Sequence, residues 1–223
     1  MIAVYGTRAD VGVTTVAARL AIAFRSLDTS DVGWAELNAR APSGESRSAA
    51  RAAVRSASPK TDDDRPSDAD ERVAIDGTDA ALVRRADGVW ALAMTRGRAP
   101  AVGDAKAVTA ALDVMRDRCA VSVAEVGHQV TERTLAAFDV ADRILLVTEG
   151  AVPSLRGTQR VLRLCHRLNY PDEKMCVVVN RFDAPGSLSP SDVAAALRRE
   201  VYWMIPDGPS VDVVGLAAKL AER

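Results

Sequence analysis

The sequence predicts an α/β fold in which one doubly wound, mostly parallel sheet carries helices on both faces. Three observations carry that expectation. Short β-rich runs alternate with longer stretches of helical periodicity along the chain. Two of the runs, at 144–148 and Met175–Asn180, are apolar almost throughout, as strands buried on both faces of a parallel sheet are. The first run leads through a turn flanked by Gly6 and Gly12 directly into a helix, the strand–turn–helix junction of such folds.

The elements follow in order. Residues 2–5 form a short apolar strand, and 14–25 a helix with Val16, Leu20, Ala23 and Phe24 on one face. Residues 32–37 read as a second strand. From 39 to 72 Ser, Arg, Asp, Pro and Ala dominate, so the segment buries too little apolar surface to offset its ordering entropy. It is expected to be a polar, mobile insertion within a single domain spanning 1–223, with one short helix near 46–54. Val89–Met94 is strand-like, and 106–117 is helical with Val108, Leu112 and Met115 aligned. Strands are expected at 120–126, 144–148, Met175–Asn180 and 201–205. Helices are expected from Pro153 to Leu168, over Pro190–Leu197 with proline in the first turn, and over 211–221.

Composition narrows the function classes. With 223 residues the chain suits one substantial domain, and its 4% aromatic content leaves the core to Ala, Val, Leu and Ile. A net charge of −1 supplies no global footprint for nucleic acid, so no specific nucleic-acid partner is expected. Cys119, Cys165 and Cys176 lack metal-ligand spacing and read as thiols of a reducing cytoplasm, the last two buried. No secretory signal precedes the first strand, and no apolar stretch approaches the ~20 residues of a membrane span. His128 reads as a loop histidine. The last helix lacks bulky aromatics and a basic face, so it reads as a packed end helix and not a strong membrane anchor.

Chemistry concentrates in the first turn, Thr7-Arg8-Ala9-Asp10-Val11-Gly12-Val13-Thr14-Thr15. In a phosphate loop, backbone N–H groups and a helix N-terminus cradle phosphates, a lysine neutralises them and a hydroxyl holds Mg²⁺. Gly12, Thr14 and Thr15 stand where such a loop needs them. Val13 occupies the lysine position and Thr7 that of the opening glycine. Losing one charge-assisted phosphate contact costs about 1.5–3 kcal/mol, or one to two orders of magnitude in binding, and Asp10 adds a negative charge. From the residues alone three readings stay open: a capping turn that binds nothing, a loop with residual nucleotide binding, and a working ATPase loop.

This turn resembles the loop of the ParA/MinD ATPases, whose signature reads Lys-Gly-Gly-Val-Gly-Lys-Thr-Thr. Against it, Val11, Gly12, Thr14 and Thr15 agree. Arg8 replaces the first lysine, Ala9 and Asp10 replace the paired glycines, and Val13 replaces the second lysine. The family's Asp-x-Asp after the second strand is matched by Glu36 and Asn38, and its Mg²⁺-associated aspartate by Glu125. The run Thr134 to Asp142, then Leu145 to Glu149, Val152 to Arg156, Leu168 to Pro171, Val178 to Asp183 and Tyr202 to Pro206 resembles the CpaE/TadZ branch.

That resemblance implies a phosphate-loop NTPase fold of ParA/MinD type and a degenerate nucleotide site. Its members would be Arg8 (acting across a dimer), Gly12, Thr14, Thr15, Glu36, Glu125 and the pair Asn180 and Arg181, with Asn180 reading adenine. Thr14 and Glu125 would hold Mg²⁺. Asn180 is read equally as a strand-ending cap. No cofactor is required on this reading, ATP or ADP with Mg²⁺ would bind weakly, and efficient catalysis is not expected with Val13 at the lysine position. The implied function is a cytoplasmic, homodimeric, non-hydrolysing scaffold or positioning factor for a pilus or secretion apparatus, recruited to a cell pole or the inner face of the membrane. The alternative is a weak ATP-dependent dimerisation switch with slow hydrolysis. A ligase- or kinase-like enzyme of the same superfamily is disfavoured, since those also need the lysine.

Overall fold

The computed structural model describes residues 1–27, 31–37, 72–76, 78, 80–84, 88–94, 105–208 and 213–222. The polar insertion expected over 39–72 (all but its last residue, Arg72), the short helix expected near 46–54, and Asn38 lie outside the described residues.

Chain order is β1 (Ile2–Gly6), α1 (Val13–Ser26), β2 (Val32–Glu36), β3 (Arg72–Ala74), β4 (Ala80–Arg84) and β5 (Val89–Met94). There follow α2 (Ala105–Arg118), β6 (Val121–Gly127), α3 (Glu132–Val140), β7 (Arg143–Thr148), α4 (Val152–Arg167) and β8 (Met175–Asn180). The chain finishes with α5 (Pro190–Leu197), β9 (Trp203–Ile205) and α6 (Val214–Ala221). Among the described residues nine strands make one sheet in the order β3-β4-β5-β2-β6-β1-β7-β8-β9. Pairing is parallel except at one edge, where β3, β4 and β5 run antiparallel. The expected mostly parallel α/β sheet is therefore present, with an antiparallel edge that periodicity did not announce.

Strand side chains alternate between two apolar layers, as the two-residue period of a strand requires. Ile2, Val4, Val32, Val123, Leu145, Val147 and Val178 face α1 and α6. Ala3, Tyr5, Ala35, Ala124, Ile144, Leu146, Val177 and Val179 face α2 to α5. Small and β-branched residues dominate both layers, with Phe24, Phe138 and Leu112 supplying the bulk. The three cysteines are buried and unpaired.

The helix α3 lay outside the elements expected from periodicity. Thr131 begins it, its hydroxyl accepting from the Thr134 backbone N–H at 3.2 Å, and Ala137 and Phe138 are buried. His128 lies in the loop before it, where its carbonyl accepts from the Tyr5 hydroxyl. The last helix starts at Val214 and buries Leu216 and Ala217 against the α1 layer. No helix of the described residues is long and apolar enough to cross a membrane.

Candidate functional site

The parallel strands direct their carboxyl ends to one edge of the sheet, and the turn from β1 to α1 lies there. Its first residue is tied down twice, since the Thr7 backbone N–H and hydroxyl both donate to the Val147 carbonyl, at 2.9 and 3.2 Å. Asp10 and Gly12 then take positive φ, 65° and 85°. Aspartate tolerates that left-handed conformation where most side chains do not, so Asp10 brings a negative charge to the loop without refusing the turn. Gly12 caps α1 without a side-chain hydrogen bond, and the helix has no acidic residue in its first turn. The positive end of the helix dipole is thus left open, the arrangement that favours an anion.

Glu125 belongs to the central strand β6, in register with Val4 of β1 on one side and Glu36 of β2 on the other. It is only 1% exposed. The Thr14 hydroxyl donates to its Oε1 at 2.6 Å, while Oε2 has no partner. Burial pushes the carboxyl up to about 7, the Thr14 bond opposes that rise, and the charge of Glu36 adds to it. Glu36 itself is exposed at the end of β2.

Asn180 ends β8 and is buried. Its Nδ2 donates to the Val11 carbonyl at 2.9 Å, and its Oδ1 is without a partner. A Cβ on Gly12 would stand 2.5 Å from that Nδ2, so glycine at position 12 serves both the positive φ and this close approach. Arg181, also at positive φ, donates to the next carbonyl along the loop, that of Asp10, at 3.3 Å and to Glu149 Oε1 at 2.7 Å. Asn180 and Arg181 therefore grip two successive loop carbonyls from the β8 side. Thr15 is half-buried in the first turn of α1, and Arg8 is exposed on the loop.

Val13 brings no charge to the turn. Its side chain packs into the apolar layer with Val11, Val16 and Val147. A Cβ on Gly6 would lie 3.4 Å from the Val13 Cβ, so this residue sits over the end of β1. Three further contributors escaped sequence reading. Glu149 pairs with Arg181, Thr7 anchors the loop, and Gly157 of α4 lets the helix approach so closely that a Cβ there would meet the Thr7 carbonyl oxygen at 2.6 Å.

No protein-family model matches the chain. Over 78 residues it is 31% identical to the septum site-determining protein MinD of Thermotoga maritima, a stretch covering 33% of this chain and 29% of that protein. The structure superposes on a ParA family ATPase from Chlorobium tepidum with a TM-score of 0.67 and 13% identity, over 99% of this chain and 89% of the other. Against the MinD cell division protein of Aquifex aeolicus the TM-score is 0.65 at 20% identity, over 97% and 85%. Against MinD of Pyrococcus horikoshii, solved with Mg-ADP, it is 0.62 at 12%, over 93% and 81%.

The fold is that of the ParA/MinD ATPases. On it, Gly12, Thr14, Glu36, Glu125 and Asn180 converge at the strand carboxyl ends, where open α/β sheets bind ligands. The residues fit Mg²⁺ with a nucleotide in part. The Thr14 hydroxyl and the Glu125 carboxylate are hard oxygen donors of the kind Mg²⁺ takes, and Glu125 Oε2 is an unsatisfied buried acceptor beside them. The open α1 N-terminus fits a phosphate. Val13 adds no charge to neutralise one, because its side chain is apolar and buried.

Proposed function

We propose that this chain is a non-hydrolysing, CpaE/TadZ-like scaffold or positioning factor on the ParA/MinD fold, serving the assembly of a pilus or secretion apparatus as a cytoplasmic homodimer. It would be recruited to a cell pole or the inner face of the membrane by its partners. The observation that carries the reading is Val13, packed among apolar side chains at the foot of the loop. Phosphoryl transfer rests on positioning and charge stabilisation, and this loop has lost its central charge. The hold of Asn180 on the Val11 carbonyl supports the same reading, since the amide that would read a base edge is engaged by the chain's own loop. A partner-binding role accords with the Aquifex aeolicus MinC:MinD complex, of the same fold.

Within this site Thr14 and Glu125 would hold Mg²⁺, and Gly12, Thr15 and the α1 N-terminus would face phosphate. Asn180 and Arg181 would border the base, and Glu36 would add negative charge beside Glu125. Bound Mg²⁺ would supply neutralisation of phosphate oxygens. Arg8, exposed on the loop, is the cation that could reach a second copy.

Calorimetric titration with Mg-ATP of the chain and of Val13→Lys tests the reading. Weak or no heat from the unmodified chain is expected, with a gain of about tenfold or more for Val13→Lys. Tight binding and turnover by the unmodified chain would sink the scaffold reading. The second reading, a weak ATP-dependent dimerisation switch, is favoured by the intact Thr14–Glu125 pair. Light scattering separates the two: a scaffold dimerises without nucleotide, and a switch only with it.

A further inference from the structure

The helix α4 carries four arginines and no acidic residue. Arg156, Arg160, Arg163 and Arg167 follow one another at spacings of four, three and four, so they lie in one stripe along the helix. All four are exposed, and among the described residues no carboxylate pairs with any of them. The opposite side of α4 buries Leu155, Val161, Leu162 and Cys165 in the core, which directs the stripe straight out to solvent. Like charges three and four residues apart destabilise a helix, and nothing on α4 offsets them.

We propose that this outer face of α4 is a docking surface for an acidic segment of a partner protein, whose carboxylates pair with the four guanidinium groups. The planar fork of arginine suits carboxylate bidentately. An acidic helix with carboxylates at the same spacing would match the stripe in register and length.

Two features favour a short protein segment over a nucleic-acid duplex or a lipid surface. An exposed apolar residue stands at each end of α4, Val152 at 51% and Leu168 at 41% exposure, offering contacts that a phosphate rail cannot use. The stripe also ends on negative charge. Asp172, held by His166 at 2.8 Å and by Arg199, brings its carboxylate to the last turn of α4, with exposed Glu173 beside it in the chain. A polyanion longer than the helix would run into those carboxylates, whereas a segment of matching length would stop short of them. The surface lies on the opposite face of the sheet from α1.

Fluorescence anisotropy of the full chain tests the assignment. The probe is a labelled helical peptide with glutamates spaced four, three and four apart. Its glutamine counterpart, a DNA duplex and phosphatidylglycerol vesicles are the competitors. The glutamate peptide is expected to bind, and to weaken by about tenfold or more in Arg160→Glu/Arg163→Glu. A lysine version of the peptide should bind that variant in its place. Arg156→Gln/Arg167→Gln removes charge without adding any and should weaken binding in the same direction, with thermal unfolding showing both variants folded. Equal binding of the glutamine peptide overturns the proposal, and so does tighter binding of duplex or vesicles that the same variants abolish.

Discussion

The Thr14 hydroxyl donates to Glu125 Oε1 at 2.6 Å, and among the described residues no other hydrogen bond reaches this carboxylate, which is 1% exposed. These residues are 111 positions apart in the chain. Thr14 opens α1, and Glu125 lies on the central strand that α1 covers. The oxygen left over, Oε2, makes this pair a stability liability unless it is protonated or meets a cation.

The pH dependence follows from that liability. Glu125 is raised from its ordinary 4.5 to about 7, so between those values the folded chain binds a proton that the unfolded chain releases. The stability from this group is present in full below about 4.5, declines as pH rises and is lost above about 7. The difference amounts to about 3 kcal/mol. Denaturant titrations of the chain and of Glu125→Gln across that window should differ by a gap that grows with pH, with the glutamine variant the more stable at pH ~8. A constant gap would show that Glu125 ionises freely.

Removing the donor should act in the opposite sense. Thr14→Val leaves both Glu125 oxygens without the hydroxyl, and an unsatisfied buried acceptor costs about 1–3 kcal/mol, the upper end applying once it is charged. Denaturation midpoints should therefore fall more at pH ~8 than at pH ~5, and Thr14→Ser should restore them. Equal losses at both pH values would mean that the valine acts through packing alone.

Gly12 and Asn180 should prove energetically coupled. Alanine at position 12 must hold φ at 85° and push aside the Nδ2 that a Cβ would approach to 2.5 Å. The left-handed conformation costs about 1–2 kcal/mol, and displacing the amide from the Val11 carbonyl adds about 1 kcal/mol. In an Asn180→Ala background only the first cost remains. A double-mutant cycle should return a coupling of about 1 kcal/mol. A coupling near zero would place the strain of Gly12→Ala in the backbone alone.

The parts of this fold that were legible share a physical cause. Met175–Asn180 and Val89–Met94 are apolar runs, and Pro190 marks the start of α5, so their bounds in the structure match those read from the chain. Arg72–Ala74 is three residues long with two of them exposed, which leaves no burial pattern for a periodicity to reveal. The helix α3 spans nine residues with a polar Thr134 among its buried positions, and the Thr131 cap was its clearest mark. At the site, the resemblance to a known family named Thr14 and Glu125 as a pair of Mg²⁺ ligands, and the hydrogen bond between them, 111 positions apart, is a contact that no spacing in the chain spells out. The hold of Asn180 on Val11, across 169 positions, was not legible, because it depends on β8 lying one strand beyond β7 in the sheet order.

Gly157 supplies the sharpest opposition between local and tertiary preference. By helix propensity alone, Gly157→Ala in the middle of α4 should stabilise the chain by about 0.8–1 kcal/mol. The structure predicts the reverse, since the added Cβ would meet the Thr7 carbonyl oxygen at 2.6 Å, and that atom is backbone and cannot rotate away. Thr7 is itself held to Val147 by two hydrogen bonds, so relief requires either α4 to shift outward or the loop to leave β7. Overpacking of this kind costs about 1–3 kcal/mol, and a clash with fixed backbone falls at the upper end, so it outweighs the propensity gain and leaves a net loss of up to about 2 kcal/mol. Thermal unfolding measures the sign directly. A variant more stable than the parent would mean that α4 does not press on the loop, and the close approach of Thr7 to the helix would have to be abandoned.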